Sequence, residues 1–162
     1  MNANEILQGY LAGERNFQHI CLSQASLSSV NLSDADFSYA NFNNAQLTNA
    51  NLSNSKLVGT DFNRANLHGA NLNGVILLHS CLFWANLNHA NLTTANLRSA
   101  KLNHARMEFV CLRKANLTEA CLERVNLIKA DLTKANLFKA TLKASNCTKA
   151  NFNHANLRET IW

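Results

Sequence analysis

A large apolar residue recurs at every fifth position from Phe17 to Trp162, with no insertion anywhere. Of these 30 positions, 22 are Leu and five are Phe; the others are Met107, Cys147 and Trp162. Two residues before each, Ala stands in 19 of 30 cases, and between the two sits Asn or Asp in 18. Ser, Thr, Asn and charged residues fill most of the remaining two places. The unit reads A-(N/D)-L-x-x.

Few backbones can use such a period. An α-helix turns about 100° per residue, so five residues carry each Leu about 140° around the axis and leave no apolar stripe. A coiled coil needs a spacing of about 3.5 residues. A strand has a period of two, which lets Ala and Leu point the same way. The next inward residue would be polar, so the chain must turn every five residues. Repeated turns of one hand wind a coil with Ala and Leu inside and the other residues outside, each coil stacked on the last. This accounts for the 26 Asn, 25 Leu and 22 Ala, which fill 73 of the 162 residues. Such a bias can mark disorder, but leucine at this level supplies apolar area to bury.

Thirty consecutive A-(N/D)-L-x-x units over residues 15–162 resemble the pentapeptide-repeat family. The resemblance implies an all-β solenoid, a right-handed quadrilateral β-helix with four units per coil. At that count the chain makes about seven coils, a rod roughly 35 Å long at strand spacing. Small Ala lets the corners close. Larger residues there, such as Val75 and Val110, should need compensating space nearby. Ser55, Thr60, Ser80, Ser145 and Thr160 occupy the Ala position and need hydrogen-bond partners if buried. The recurrent Asn is expected to form amide ladders between coils.

Residues 1–14 read as a capping helix and residues 15–162 as a single repeat domain. Asn2 and Glu5 have the spacing of a capping box. Ile6, Leu7, Tyr10 and Leu11 share one apolar face over 3–12, and Gly13 suits the position just past the helix end. A solenoid must cover its ends, because an open coil edge templates aggregation. The C-terminal end has no such cap. Several family members dimerise there, so this end, with Ile161 and Trp162, is expected to pair with a second copy or to be shielded by Trp162.

With twenty residues per coil, residues twenty apart stack, which maps the outer surface. One column reads Arg64, Trp84, His104, Arg124, with Arg64 expected over Trp84 as a cation–π pair. Glu119, Lys139 and Glu159 alternate in another, and Glu123 faces Lys143. Ile76, Leu78, Phe83 and Trp84 occupy outward places usually held by polar residues, with Val58 beneath Leu78. Val58, Arg64, Ile76, Leu78, Phe83, Trp84 and Arg124 thus form a candidate partner surface. Charge is uneven: residues 1–81 carry 3 basic and 5 acidic groups, residues 82–162 carry 12 and 5. Lys114, Lys129, Lys134 and Lys149 form a candidate basic surface. Interspersed glutamates and few aromatics make solubility a better reading of it than nucleic-acid binding.

Catalytic chemistry is not expected. No phosphate-binding, dinucleotide-binding or nucleophile-elbow motif occurs. The five cysteines include no C-x-x-C and sit too far apart in their columns for disulfides, so no metal or cofactor is expected. Reduced thiols, no visible signal peptide and no apolar run of about 18 residues point to the cytoplasm and away from a membrane. The expected function is a non-enzymatic scaffold or regulator offering flat faces to a protein partner. The resemblance adds cell-differentiation regulation, as in some cyanobacterial members. The alternative it offers, a gyrase-protecting imitation of DNA, calls for an acidic surface, whereas this chain carries a net charge of +5.

Overall fold

The computed structural model describes residues 3–162. The helix α1 spans Ala3–Leu11. Asn2, the expected N-cap, lies outside the described residues. The helix ends at Gly13, whose φ is +96°. Gly13 N–H donates to the Tyr10 carbonyl at 3.1 Å and Glu14 N–H to the Gly9 carbonyl at 2.9 Å, the paired bonds of a Schellman motif. Ile6 and Tyr10 are buried in the same apolar cluster as the rod's inner residues. The Tyr10 hydroxyl donates to the Ser33 carbonyl at 3.1 Å. The Arg15 guanidinium lies 3.9 Å from the Tyr10 ring centre and donates to the Tyr10 carbonyl at 2.8 Å.

From Asn16 to Ile161, parallel bridges join each residue preceding a Leu position to the residue twenty further on. The offset never changes, so four five-residue units make one circuit. The four faces are labelled A to D after the inward residues of the first circuit, Phe17, Leu22, Leu27 and Leu32. Bridges stay isolated, with no longer strand among the described residues. The cause is local: each extended stretch is interrupted by a turn before a second bridge can follow.

Three hydrogen bonds per unit tie circuit to circuit. In one unit Asn51 N–H donates to the Val30 carbonyl below at 2.8 Å, while Leu52 and Asn54 N–H donate to Asn71 and Asn73 carbonyls above at 2.9 Å. A fourth closes the turn, as from Ala50 N–H to the Leu47 carbonyl at 3.0 Å. The last residue of every unit from His19 to Glu159 has φ between +55° and +66°. All but Gly59, Gly69 and Gly74 carry a Cβ, and left-handed backbone costs such residues about 1–2 kcal/mol each. The bond from the N–H of such a residue to the next circuit, as from Asn54 to the Asn73 carbonyl, offsets the cost. Gly59 has a second role: a Cβ there would lie 2.8 Å from the Tyr39 ring stacked beneath it.

Leu and Phe fill the axis. Phe17 stacks on Phe37 at 5.2 Å, and Phe42 on Phe62 at 4.9 Å. Where Ala occupies the corner, the turn bond measures 2.9–3.1 Å; at Val75 it lengthens to 3.4 Å and at Thr60 and Val110 to 3.3 Å. Ser80, smaller than Val, has the same 3.3 Å bond, so the lengthening does not follow side-chain size. The corner hydroxyls donate as required. Ser55 donates to the Leu32 carbonyl, Thr60 to Phe37, Ser80 to Leu77, Ser145 to Leu122 and Thr160 to Leu137.

The Asn ladders form, and they do more than stack. Asn51 Nδ2 donates to Asn31 Oδ1 at 2.8 Å, and Asn71 Nδ2 to Asn51 Oδ1 at 3.0 Å. Each Oδ1 also accepts the N–H two residues on, as Asn71 does from Asn73 at 3.2 Å. That N–H is the one the coil-to-coil bonds leave free. An Asn or Asp thus completes the backbone accounting of its own turn.

Candidate interaction surface

The apolar segment predicted as one patch divides between faces. Val58, Ile76 and Leu78 lie on face A and Phe83 on face B, all four half-buried. The apolar side chains flanking these inward residues lie along the face, whereas charged ones in the same places, Lys101 and Arg106 among them, are exposed. Between residues 17 and 160 the exposed large apolar side chains are Tyr39, Trp84 and Phe109, all at left-handed corners. Trp84 occupies such a corner, between faces B and C, and is 57% exposed.

Arg64 and Arg124 share the Trp84 column and are exposed. Trp84 stacks on His104, with ring centres 4.2 Å apart and planes within 7°. The expected Arg64–Trp84 pair is not among the cation–π contacts of the described residues. Two further corner stacks escaped sequence reasoning. His19 lies over Tyr39 at 5.1 Å, and His89 over Phe109 at 4.9 Å, with the Lys129 ammonium 4.9 Å from the Phe109 ring. His68 meets His89 edge-on at 5.4 Å. The signal that could have found them is an aromatic residue in the last place of a unit.

Lys114 and Lys134 occupy one edge of face D, and Lys129 and Lys149 the other; all four are exposed. Ion pairing concentrates elsewhere. Arg98 meets Glu119 at 3.8 Å and Lys139 meets Glu159 at 3.6 Å, both on the face A side. The expected Glu119–Lys139 and Glu123–Lys143 pairs do not form among the described residues; Glu123 accepts from the Thr141 hydroxyl at 3.4 Å. On face D itself Arg113 meets Asp131 at 3.3 Å. Burial pushes the Asp131 carboxyl up, but bonds from the Thr133 hydroxyl and N–H and from Arg113 outweigh it and hold the group below its ordinary value. Asp36 is likewise held down, by Ser38, Gln18 and Lys56 against its own burial.

Ile161 and Trp162 are exposed, with the Trp162 ring edge-on to Phe152 at 5.8 Å. Cys147, Phe152 and Leu157, inward residues of the last circuit, are only half-buried. All five cysteines are free thiols, and burial pushes the Cys147 thiol up. An open hollow of about 370 Å³ lies between Arg15, Asp34, Asp36 and Lys56. Among the described residues no three His, Cys, Asp or Glu side chains are placed to share a metal ion. Among the described residues no helix is long and apolar enough to cross a membrane.

The model of pentapeptide repeats matches this chain in eight copies, over residues 16–45, 45–77, 80–119 and 120–159. The chain belongs to the pentapeptide repeat family. Its fold is accordingly the right-handed quadrilateral β-helix of that family, with one short helix. Among solved structures, the chain is similar to HetL, a pentapeptide repeat protein involved in heterocyst differentiation regulation in the cyanobacterium Nostoc sp. PCC 7120. Identity is 28% over 99% of this chain and 96% of HetL, with a TM-score of 0.54. The Nostoc pentapeptide repeat protein alr5209 is 33% identical over 62% of this chain and 80% of its own, with a TM-score of 0.59. QnrB1, a plasmid-mediated fluoroquinolone resistance protein, is 18% identical over 91% of this chain and 79% of its own; its TM-score of 0.81 speaks to the shared fold alone. No match is found among curated protein sequences.

Proposed function

We propose that this pentapeptide repeat protein is a non-enzymatic scaffold that presents rigid side-chain columns to a protein partner in the regulation of cell differentiation. The observation that carries the reading is the set of large apolar side chains, Tyr39, Trp84 and Phe109, held exposed on corners whose N–H is bonded to the next circuit. Large apolar groups on a rigid surface favour partner contact, because little conformational freedom is lost on docking. Similarity to HetL along nearly the whole chain supports the regulatory setting. The free cysteines suit a reducing compartment, and the proposal places the protein in the cytoplasm. Leu and Phe fill the axis, which suits a surface rather than an interior role.

The test is affinity capture from the native host with the full chain, run beside the Phe83→Ser, Trp84→Ser double variant. The expected result is a partner retained by the parent chain and lost or depleted with the variant. Identical capture profiles would remove this surface from the reading. A gyrase supercoiling assay separates the gyrase-protecting alternative, for which no effect is expected from a chain of net charge +5.

A further inference from the structure

Face C carries three stacked rows in the middle of the rod, residues 84–89, 104–109 and 124–129. The bridges Asn86↔Arg106 and Arg106↔Asn126 hold the rows in register. The rows end on Trp84 and His89, on His104 and Phe109, and on Arg124 and Lys129. Each edge of the face is therefore an aromatic–histidine stack followed by a cation. The Trp84–His104 stack measures 4.2 Å on one edge and the His89–Phe109 stack 4.9 Å on the other. Trp84 and Phe109 are 57% and 43% exposed, and Tyr39, the other such corner aromatic, lies near the opposite end.

The three rows carry Arg106 and Glu108 on the floor and Arg124 and Lys129 on the edges, a net charge of +2. Arg106 is exposed at the centre of the floor, and neither it nor Arg124 joins an ion pair among the described residues. The only carboxylate in the three rows, Glu108, is engaged: its Oε1 accepts from Asn126 Nδ2 at 2.9 Å. We propose that face C, between the Trp84 and Phe109 edges, docks an acidic protein segment carrying an apolar side chain. The proposal rests on the protein-interaction reading above and names its surface and the partner's chemistry. Three cations against one carboxylate leave a net positive face that favours an acidic partner and steers its approach. Trp and Arg are the residue types on which binding energy concentrates. A nucleic-acid backbone calls for a basic groove that tracks successive phosphates, whereas face C offers three cations with the Glu108 carboxylate among them.

Trp84 is one of only two tryptophans, so Trp162→Phe makes it the sole indole reporter in the full chain. The probes are a soluble Glu-rich peptide carrying Leu, its Gln-for-Glu counterpart and a single-stranded oligonucleotide. The acidic peptide should change Trp84 emission saturably, lose affinity as salt is raised, and bind about tenfold more weakly to the Arg106→Glu, Arg124→Glu variant. The Gln peptide should give no such change. Lys114→Glu, Lys134→Glu on the far edge of face D should bind nearly as the parent does, and circular dichroism verifies that each variant is folded. No saturable change with the acidic peptide overturns the proposal. Retained affinity in the 106/124 variant, or an equal loss in the 114/134 variant, moves docking off face C and leaves the protein-interaction reading standing. Tighter binding of the oligonucleotide overturns both.

Discussion

Asn71 shows how much one side chain does in this rod. Its Nδ2 reaches Asn51, its Oδ1 accepts from the Asn73 backbone, and Asn91 Nδ2 donates to that same oxygen at 3.4 Å. Asp131 keeps the local half of this role, accepting from Thr133 N–H at 3.0 Å, and replaces the ladder with a contact to Arg113. The exchange has a pH consequence. The Asp36 and Asp131 carboxyls lie below their ordinary values in the folded chain. Their stabilising effect is therefore complete above the unfolded value of about pH 4 and fades as pH falls through the folded one. Melting temperature should drop on acidification through that window, and drop less steeply in the Asp36→Asn, Asp131→Asn variant. Parallel melting curves for the two chains would show that these carboxyls carry no acid sensitivity.

At the scale of elements, α1 and the corners set what the rod can tolerate. Ile6 is fully buried against the first circuit, and Ile6→Ala should cost about 2–5 kcal/mol locally. Because each circuit touches only its neighbours, the loss should appear as faster amide exchange in residues 3–40 with little change beyond residue 80. A uniform rise in exchange along the whole chain would instead mean that the rod unfolds as one unit. The five-residue period made the core legible down to single positions, and the hydroxyls of Ser55, Thr60 and Ser80 found the partners their burial demanded. The surface was less legible. The last two places of a unit look alike in sequence, yet Phe83 lies along its face while Trp84 projects. That difference comes from the positive φ of the second, which no residue type announces, since 26 of these corners are not glycine. The partners of Trp84 and Glu119 depend on side-chain reach between stacked circuits: the twenty-residue column could not choose between Arg64 and His104 for Trp84, and Arg98, which pairs with Glu119, stands in the adjacent column.

For the molecule as a whole, the two ends differ. The first circuit is packed against α1, while the last leaves Phe152 and Leu157 half-exposed beside an exposed Trp162. Apolar surface of this kind, with backbone N–H groups that elsewhere bond to a further circuit, should bring two copies together. Sedimentation of this chain should show concentration-dependent association that Trp162→Ser weakens; a single monomeric species at every concentration would count against the contact. The constant offset of twenty between bridged residues also governs how such a chain can change in length. Duplicating twenty residues would add a circuit and leave every column aligned. Duplicating five would preserve the core yet hand every downstream column to the next face, swinging Lys114 and Lys134 round relative to Tyr39 and α1. The interior accepts growth in steps of five, whereas the pattern displayed to a partner survives only in steps of twenty.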